Sequence, residues 1–262
     1  MDVSAKNIID LIEEYAPKNT QELWDNSGLQ VGDINSSVNS ILIAMDITDK
    51  CIDYAIDKGI NFIITHHPFI FSPIKNIDFN SYNGNLVRKI IDNNITIYTF
   101  HTNLDKSKSG TNNILAEILK LENIKNLLDD EENNIGVYGE FPNGTLSLLI
   151  ELLSEEIVPR EYIRYYGKKR SDIRKVAVLG GSVASEISLV LERGCDVFIT
   201  SDVKYHDGQM AYENDLTLID IGHFYSEFPV LSQLENTIKE KYWDLNVEIF
   251  LDPVFVIGTL IK

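Results

Sequence analysis

Apolar and polar positions along this 262-residue chain fall into two alternating textures. Short β-branched runs, ILIAMD (41–46), NFIIT (61–65), ITIYTF (95–100), VAVLGG (176–181), DVFIT (196–200) and LTLIDIG (216–222), read as buried strands. The stretches between them carry the three-to-four-residue apolar spacing of amphipathic helices. Strand and helix in alternation predict βα units and a largely parallel sheet, an α/β fold. The opening segment, MDVSAKNIIDLIEEYAPKN, has acids set into an amphipathic pattern and reads as a first helix rather than a signal peptide.

The strand pattern repeats. ILIAMD is followed by a helical segment, Gly59 and the strand ending at Thr65; VAVLGG is followed by a helical segment, Gly194 and the strand ending at Thr200. Both landmarks are offset by 135 residues, and duplication is the simplest account. The echo continues with His101 and Asp105 after one strand and His223 and Glu227 after its counterpart, now 122 residues apart. A longer connection after His67, FIFSPIKNIDFNSYNG, absorbs the difference and reads as loop. Gly59 and Gly194 stand where a helix hands over to a strand and a left-handed residue is wanted. The division expected is a first half over 1–125 and a connection plus second half over 126–262. The region from Leu121 to Gly167 holds an acidic run, Asp129 to Glu132, and two further strand candidates, IGVYGEF and TLSLLIEL. It reads as a lid or connection between the repeats, too short for a domain of its own.

All five histidines fall in or beside segments that end the repeated strands: His66, His67, His101 and His223 follow strands, and His206 lies in the connection after Thr200. Carboxyl ends of parallel strands are where α/β proteins bind ligands. Imidazoles with carboxylates and no thiolates form a donor set suited to zinc, iron, manganese, cobalt or nickel. His66 and His67 are adjacent, so their side chains should diverge and serve different ions. Two divalent metals are therefore expected, held by His66, His67 and Asp105 from one half and His223 and Glu227 from the other, between the repeats. Asp202, Lys204 and His206 are candidates for orienting ligands, binding substrate or moving protons, and His101 for a supporting or proton-transferring role. Asp25, Asn26, Ser27 and Gly28 read as an ordinary turn between helix and strand.

A net charge of −17 disfavours a nucleic-acid partner, since phosphate affinity rests on Lys and Arg. One cluster runs against it: Arg160, Arg164, Lys168, Lys169, Arg170, Arg174 and Lys175, a solvated loop before a strand or a contact for nucleotide phosphate or RNA. Two cysteines allow no disulfide framework, and no apolar run is long enough to span a bilayer. A cytoplasmic protein is expected.

The motifs LWDNSGLQVGD (23–33), FIITHHPFIF (62–71), FHTNLDKSKSGTNN (100–113), VAVLGGS (176–182), FITSDVKYHD (198–207) and LIDIGHFYSE (218–227), in this order across nearly the whole chain, closely resemble the dinuclear metal-centre proteins related to NGG-one-interacting factor three. Members are often labelled GTP cyclohydrolase I type 2 homologues. The resemblance implies two similar α/β domains facing each other, in the compact form without an inserted domain, and a toroidal homohexamer built as a trimer of dimers. It assigns metal-ligand roles to His66, His67, Asp105, His223 and Glu227. Val183 and Ser201 depart from it, each standing where relatives tend to have glycine, and Val183 puts the shape of the 181–184 turn in question. The expected activity is metal-dependent hydrolysis of a nucleotide by a metal-activated water, with His101 or His206 handling protons. Alternatives are a dinuclear phosphoesterase and a non-catalytic metal-binding hexameric scaffold or regulatory protein.

Overall fold

Buried hydrophobic runs give two mixed sheets, one with four mutually parallel strands and the other with three. A computed structural model of the chain describes residues 3–129, 135–168 and 170–252. They form two compact units, the first from residues 3–104 and 231–252 and the second from 105–230.

The first unit contains β1 (Gly28–Val31), β2 (Ser40–Ala44), β3 (Phe62–Thr65), β4 (Thr96–Thr99) and, from the far end of the chain, β11 (Asn246–Phe250), in the order β1-β4-β3-β2-β11. β2, β3 and β4 run parallel, with Ala44 opposite Thr65 and Thr65 opposite Thr99. β1 lies antiparallel on β4, and β11 parallel on β2. Every residue of β2, β3 and β4 is buried, as strands covered on both faces require. Leu42, Ile52, Ile63, Leu86, Ile90 and Ile97 pack in one core, each side chain contributing about 1.5–3 kcal/mol by burial. The helix Asp49–Lys58 between β2 and β3 starts on Thr48, whose hydroxyl accepts from the Cys51 amide, and ends at Gly59 with φ +67. Gly194, at φ +66, ends the corresponding helix of the second unit.

The second unit holds β5 (Glu122–Asn126), β6 (Val137–Gly144), β7 (Arg164–Tyr166), β8 (Ile173–Val178), β9 (Val197–Thr200) and β10 (Thr217–Asp220), in the order β5-β6-β8-β9-β10-β7. β8, β9 and β10 are parallel, and β7 is antiparallel on β10 as β1 is on β4. The repeat thus includes a preceding antiparallel edge strand. The other edges differ: β6 joins β8 antiparallel where β11 joins β2 parallel.

Three details depart from expectation. TLSLLIEL is helical, within Leu146–Glu156: the Thr145 hydroxyl caps it by accepting from the Leu148 amide, and Leu146, Leu149 and Leu153 recur at helical spacing on the buried face. The central region is no lid, because β5 and β6 extend the second sheet. Within the acidic run, Asp130, Glu131 and Glu132 lie outside the described residues. Residues 231–252, assigned by sequence to the second half, form part of the first unit, and residues 105–125, Asp105 among them, assigned to the first half, form part of the second.

Candidate metal centre

In the first unit, β3 ends at Thr65 and delivers His66 and His67, and β4 ends at Thr99 just before His101. A ring nitrogen from each of these histidines lies within 4.8 Å of the other two. Ring centroids are 5.1 Å apart for His66 and His67, 5.4 Å for His66 and His101, and 5.7 Å for His67 and His101. His66 is fully buried, while the side chains of His67 and His101 are 23% and 13% exposed.

Each ring has its Nδ1 against an oxygen. His66 Nδ1 is 3.1 Å from the Phe100 carbonyl, His67 Nδ1 2.9 Å from Asp46 Oδ1, and His101 Nδ1 2.7 Å from Asp25 Oδ1. Carbonyl and carboxylate oxygens accept, so each Nδ1 carries the proton and Nε2 keeps the lone pair. That is the arrangement in which an oxygen acceptor fixes the tautomer and raises the basicity of a metal-binding imidazole.

Asp25 is the residue that sequence reasoning placed in an ordinary turn. Its side chain is 0% exposed. Oδ2 accepts from the Thr102 hydroxyl at 2.6 Å and the Ser27 hydroxyl at 2.9 Å. Burial works against its charge, but hydrogen bonds from His101 and Thr102 hold its carboxyl well below the usual carboxylate range. The signal available in sequence was the polar cluster Asp25, Asn26, Ser27 within a family motif.

In the second unit, β10 ends at Asp220 and the helix His223–Glu227 follows, so both candidates lie on one short helix four residues apart. His223 Nδ1 is 2.7 Å from Asp202 Oδ2, and its Nε2 is 3.1 Å from Glu227 Oε2. With Nδ1–H given to Asp202, the Nε2 lone pair faces a carboxylate oxygen. Such a pair is stable only with a cation, a proton or a metal ion, shared between them. A carboxylate oxygen of Asp105 lies within 4.8 Å of one of Glu227, and Asp105 is fixed by the Thr111 hydroxyl at 2.7 Å. Gly181, at φ +76, makes room for Glu227: a Cβ there would stand 2.6 Å from Glu227 Oε1. Val183 has φ −120, so the 181–184 turn asks nothing unusual of a valine, and Ser201 donates to the Gly181 carbonyl at 2.6 Å. Several groups of histidine and acidic side chains among the described residues could therefore hold a metal ion.

The remaining candidates sit apart in character. His206 is exposed in the first turn of the helix Tyr205–Glu213, 3.4 Å from Gln209 Oε1, and the exposed Lys204 precedes that helix, its amide donating to Asp207. The basic cluster is largely answered within its unit. Arg164 pairs with Asp220, Lys168 with Asp215, Arg170 with Asp196 and Asp215, and Arg174 with Asp172. Lys169 lies outside the described residues.

Residues 3–254 match the model of the DUF34/NIF3 family, NGG1p interacting factor 3. The chain belongs to this family. It is 37% identical over 234 residues to a Clostridium acetobutylicum protein named GTP cyclohydrolase 1 type 2 homolog, covering 87% of each chain. It is 31% identical over 252 residues to the Helicobacter pylori protein named GTP cyclohydrolase 1 type 2, covering 96% of this chain and 98% of the other. Among solved structures, a NIF3-related protein from Bacillus cereus superposes with a TM-score of 0.88 at 25% identity, over 98% of this chain and all of the other. Reduced HcgD from Methanocaldococcus jannaschii gives 0.85 at 32% identity, over 95% of this chain and 98% of its own. No helix among the described residues is long and apolar enough to cross a membrane.

Proposed function

We propose that this NIF3-family chain is a dinuclear metalloprotein, with His66, His67, Asp105, His223 and Glu227 as ligands, and that it hydrolyses a nucleotide. One observation carries the reading: each of these three histidines, and His101 beside His66 and His67, points its Nδ1 at an oxygen acceptor, leaving Nε2 as the donor nitrogen. A set of imidazoles so oriented, with Glu227 facing His223 Nε2 at 3.1 Å, fits divalent zinc, iron or manganese. The names of the relatives, GTP cyclohydrolase 1 type 2 and its homologues, support a nucleotide substrate.

Divalent ions held by these residues would supply a water acidic enough to act as a nucleophile near neutral pH. The chain's own contribution is orientation. Asp46 and Asp202 hold His67 and His223 in one tautomer, and Thr111 holds Asp105. His101, backed by the buried Asp25 carboxylate, is placed to take up a proton at Nε2 and keep the resulting imidazolium paired. Assembly as a homohexamer in the cytoplasm belongs to the same proposal and is checked by light scattering.

The test is elemental analysis of protein purified without chelator, with turnover of GTP, other nucleotides and generic phosphoesters. About two metals per chain with metal-dependent turnover of a nucleotide is the expected result. Two metals without turnover leaves a metal-holding scaffold, and no metal after reconstitution removes the proposal.

A further inference from the structure

Beside the three imidazoles of the first unit stand two large rings that the fold leaves in water. Trp24 is 60% exposed and Phe71 55% exposed. Their centroids are 6.0 Å apart with planes at 51°, and Trp24 meets His101 edge-on, also at 6.0 Å. Leaving two such rings exposed forgoes burial that most aromatic side chains obtain.

The corner they form is built. Trp24 precedes β1 and Phe71 follows β3, and amide hydrogen bonds tie the two segments together. Asn26 Nδ2 donates to the Ile70 carbonyl at 2.6 Å, the Ile70 amide donates to Gln30 Oε1 at 2.9 Å, and Gln30 Nε2 donates to the Asn26 carbonyl at 2.7 Å. Gln30 is only 8% exposed, so its amide is committed to holding the loops. Phe71 also lines a cleft of about 470 Å³ with Phe69, Ile74, Ile77 and Val87, within the usual size of small-ligand sites. The exposed edges of the imidazole group belong to His67 and His101, and the indole lies against His101.

We propose that Trp24 and Phe71 form a stacking platform for a planar nitrogen heterocycle, which they hold by its face with its edge toward His101 and His67. The platform rests on the nucleotide reading above and gives that reading a binding residue for the base. An indole face accepts any aromatic ring, so the platform supplies affinity, while hydrogen bonding at the ring edge is left to other groups. Preset loops lower the ordering cost of binding.

The chain has two tryptophans, so Trp243→Phe leaves Trp24 as the single reporter. Full-length protein carrying that change is titrated with guanosine and, separately, with ribose 5-phosphate, in metal-loaded and metal-stripped form. Guanosine is expected to quench Trp24 emission saturably in both forms, and ribose 5-phosphate to leave it unchanged. By calorimetry, Trp24→Leu, an exposed substitution, weakens guanosine binding about fivefold or more at unchanged metal content, and Gln30→Leu does so by loosening the corner. The platform is overturned by absent quenching, by equal quenching with ribose 5-phosphate, by full affinity in Trp24→Leu, or by emission that follows protein concentration alone. Guanosine quenching in a protein that never takes up metal would keep the platform and remove the metalloprotein reading; metal uptake without quenching would do the reverse.

Discussion

Asp25 Oδ1 lies 2.7 Å from His101 Nδ1, and the carboxylate is completely shielded from solvent. A buried charge is tolerated only when it is paired and hydrogen-bonded, and His101, Thr102 and Ser27 answer this one. The pair orients a ring whose other nitrogen faces the candidate centre. Asp25→Asn removes the charge at nearly constant volume. Turnover by the metal-loaded protein is expected to fall about 10- to 100-fold, the usual loss when an imidazole's supporting carboxylate is removed, while metal content stays close to wild type. Unchanged turnover would show that His101 takes no part in moving the proton.

His67→Ala is expected to lower bound metal sharply while the protein stays folded, because His67 is partly exposed rather than part of a core. Circular dichroism reports the fold and plasma emission the metal. Asp46→Asn is the companion change; it keeps His67 and loosens its orientation, so a smaller loss is expected. Equal metal content in wild type and His67→Ala would sink the ligand assignment.

Asp202 has φ +53, a left-handed conformation that costs a non-glycine residue about 1–2 kcal/mol, and its carboxylate fixes His223. Asp202→Gly relieves the backbone and deletes the carboxylate. The metal-free protein should melt no lower than wild type, while the loaded protein loses metal faster. A lower melting temperature without metal would mean that Asp202 is there for stability.

Cys51 and Cys195 are both buried, and burial pushes each thiol up to about 12. At pH 8 roughly one thiol in ten thousand would be thiolate, the reactive form. Neither is expected to react with iodoacetamide in the native protein, and both should react in denaturant. Cys51 lies in the first unit's core and Cys195 in the second's, so mass spectrometry of partly denatured samples reads the opening of each unit separately. Rapid native labelling of either would contradict the packing.

The parallel strands and the histidines at their ends were legible in sequence because fully buried strands give unbroken apolar runs, and the residue after each run is placed by the strand itself. Gly59 and Gly194 were legible for a similar reason, since few other residues take positive φ. The helix at Leu146–Glu156 was misread because a leucine-rich run eight residues long satisfies a buried strand as well as a helix face, and the decision rests on the Thr145 cap. Asp25 was missed because its partners, His101 and Thr102, are more than seventy residues away in the chain. Local patterns report neighbours along the chain, and Asp25 acts through neighbours in space.

β11 sits beside β2 in the first sheet although some two hundred residues of chain separate them. The second unit is consequently an insertion within the first rather than a bead after it. During synthesis the ribosome must finish the whole second unit before the first sheet can gain its last strand, and until then one edge of β2 has no neighbour there. Cutting the gene between residues 104 and 105 would not yield two autonomous halves; it would leave the first unit without the strand that closes its edge.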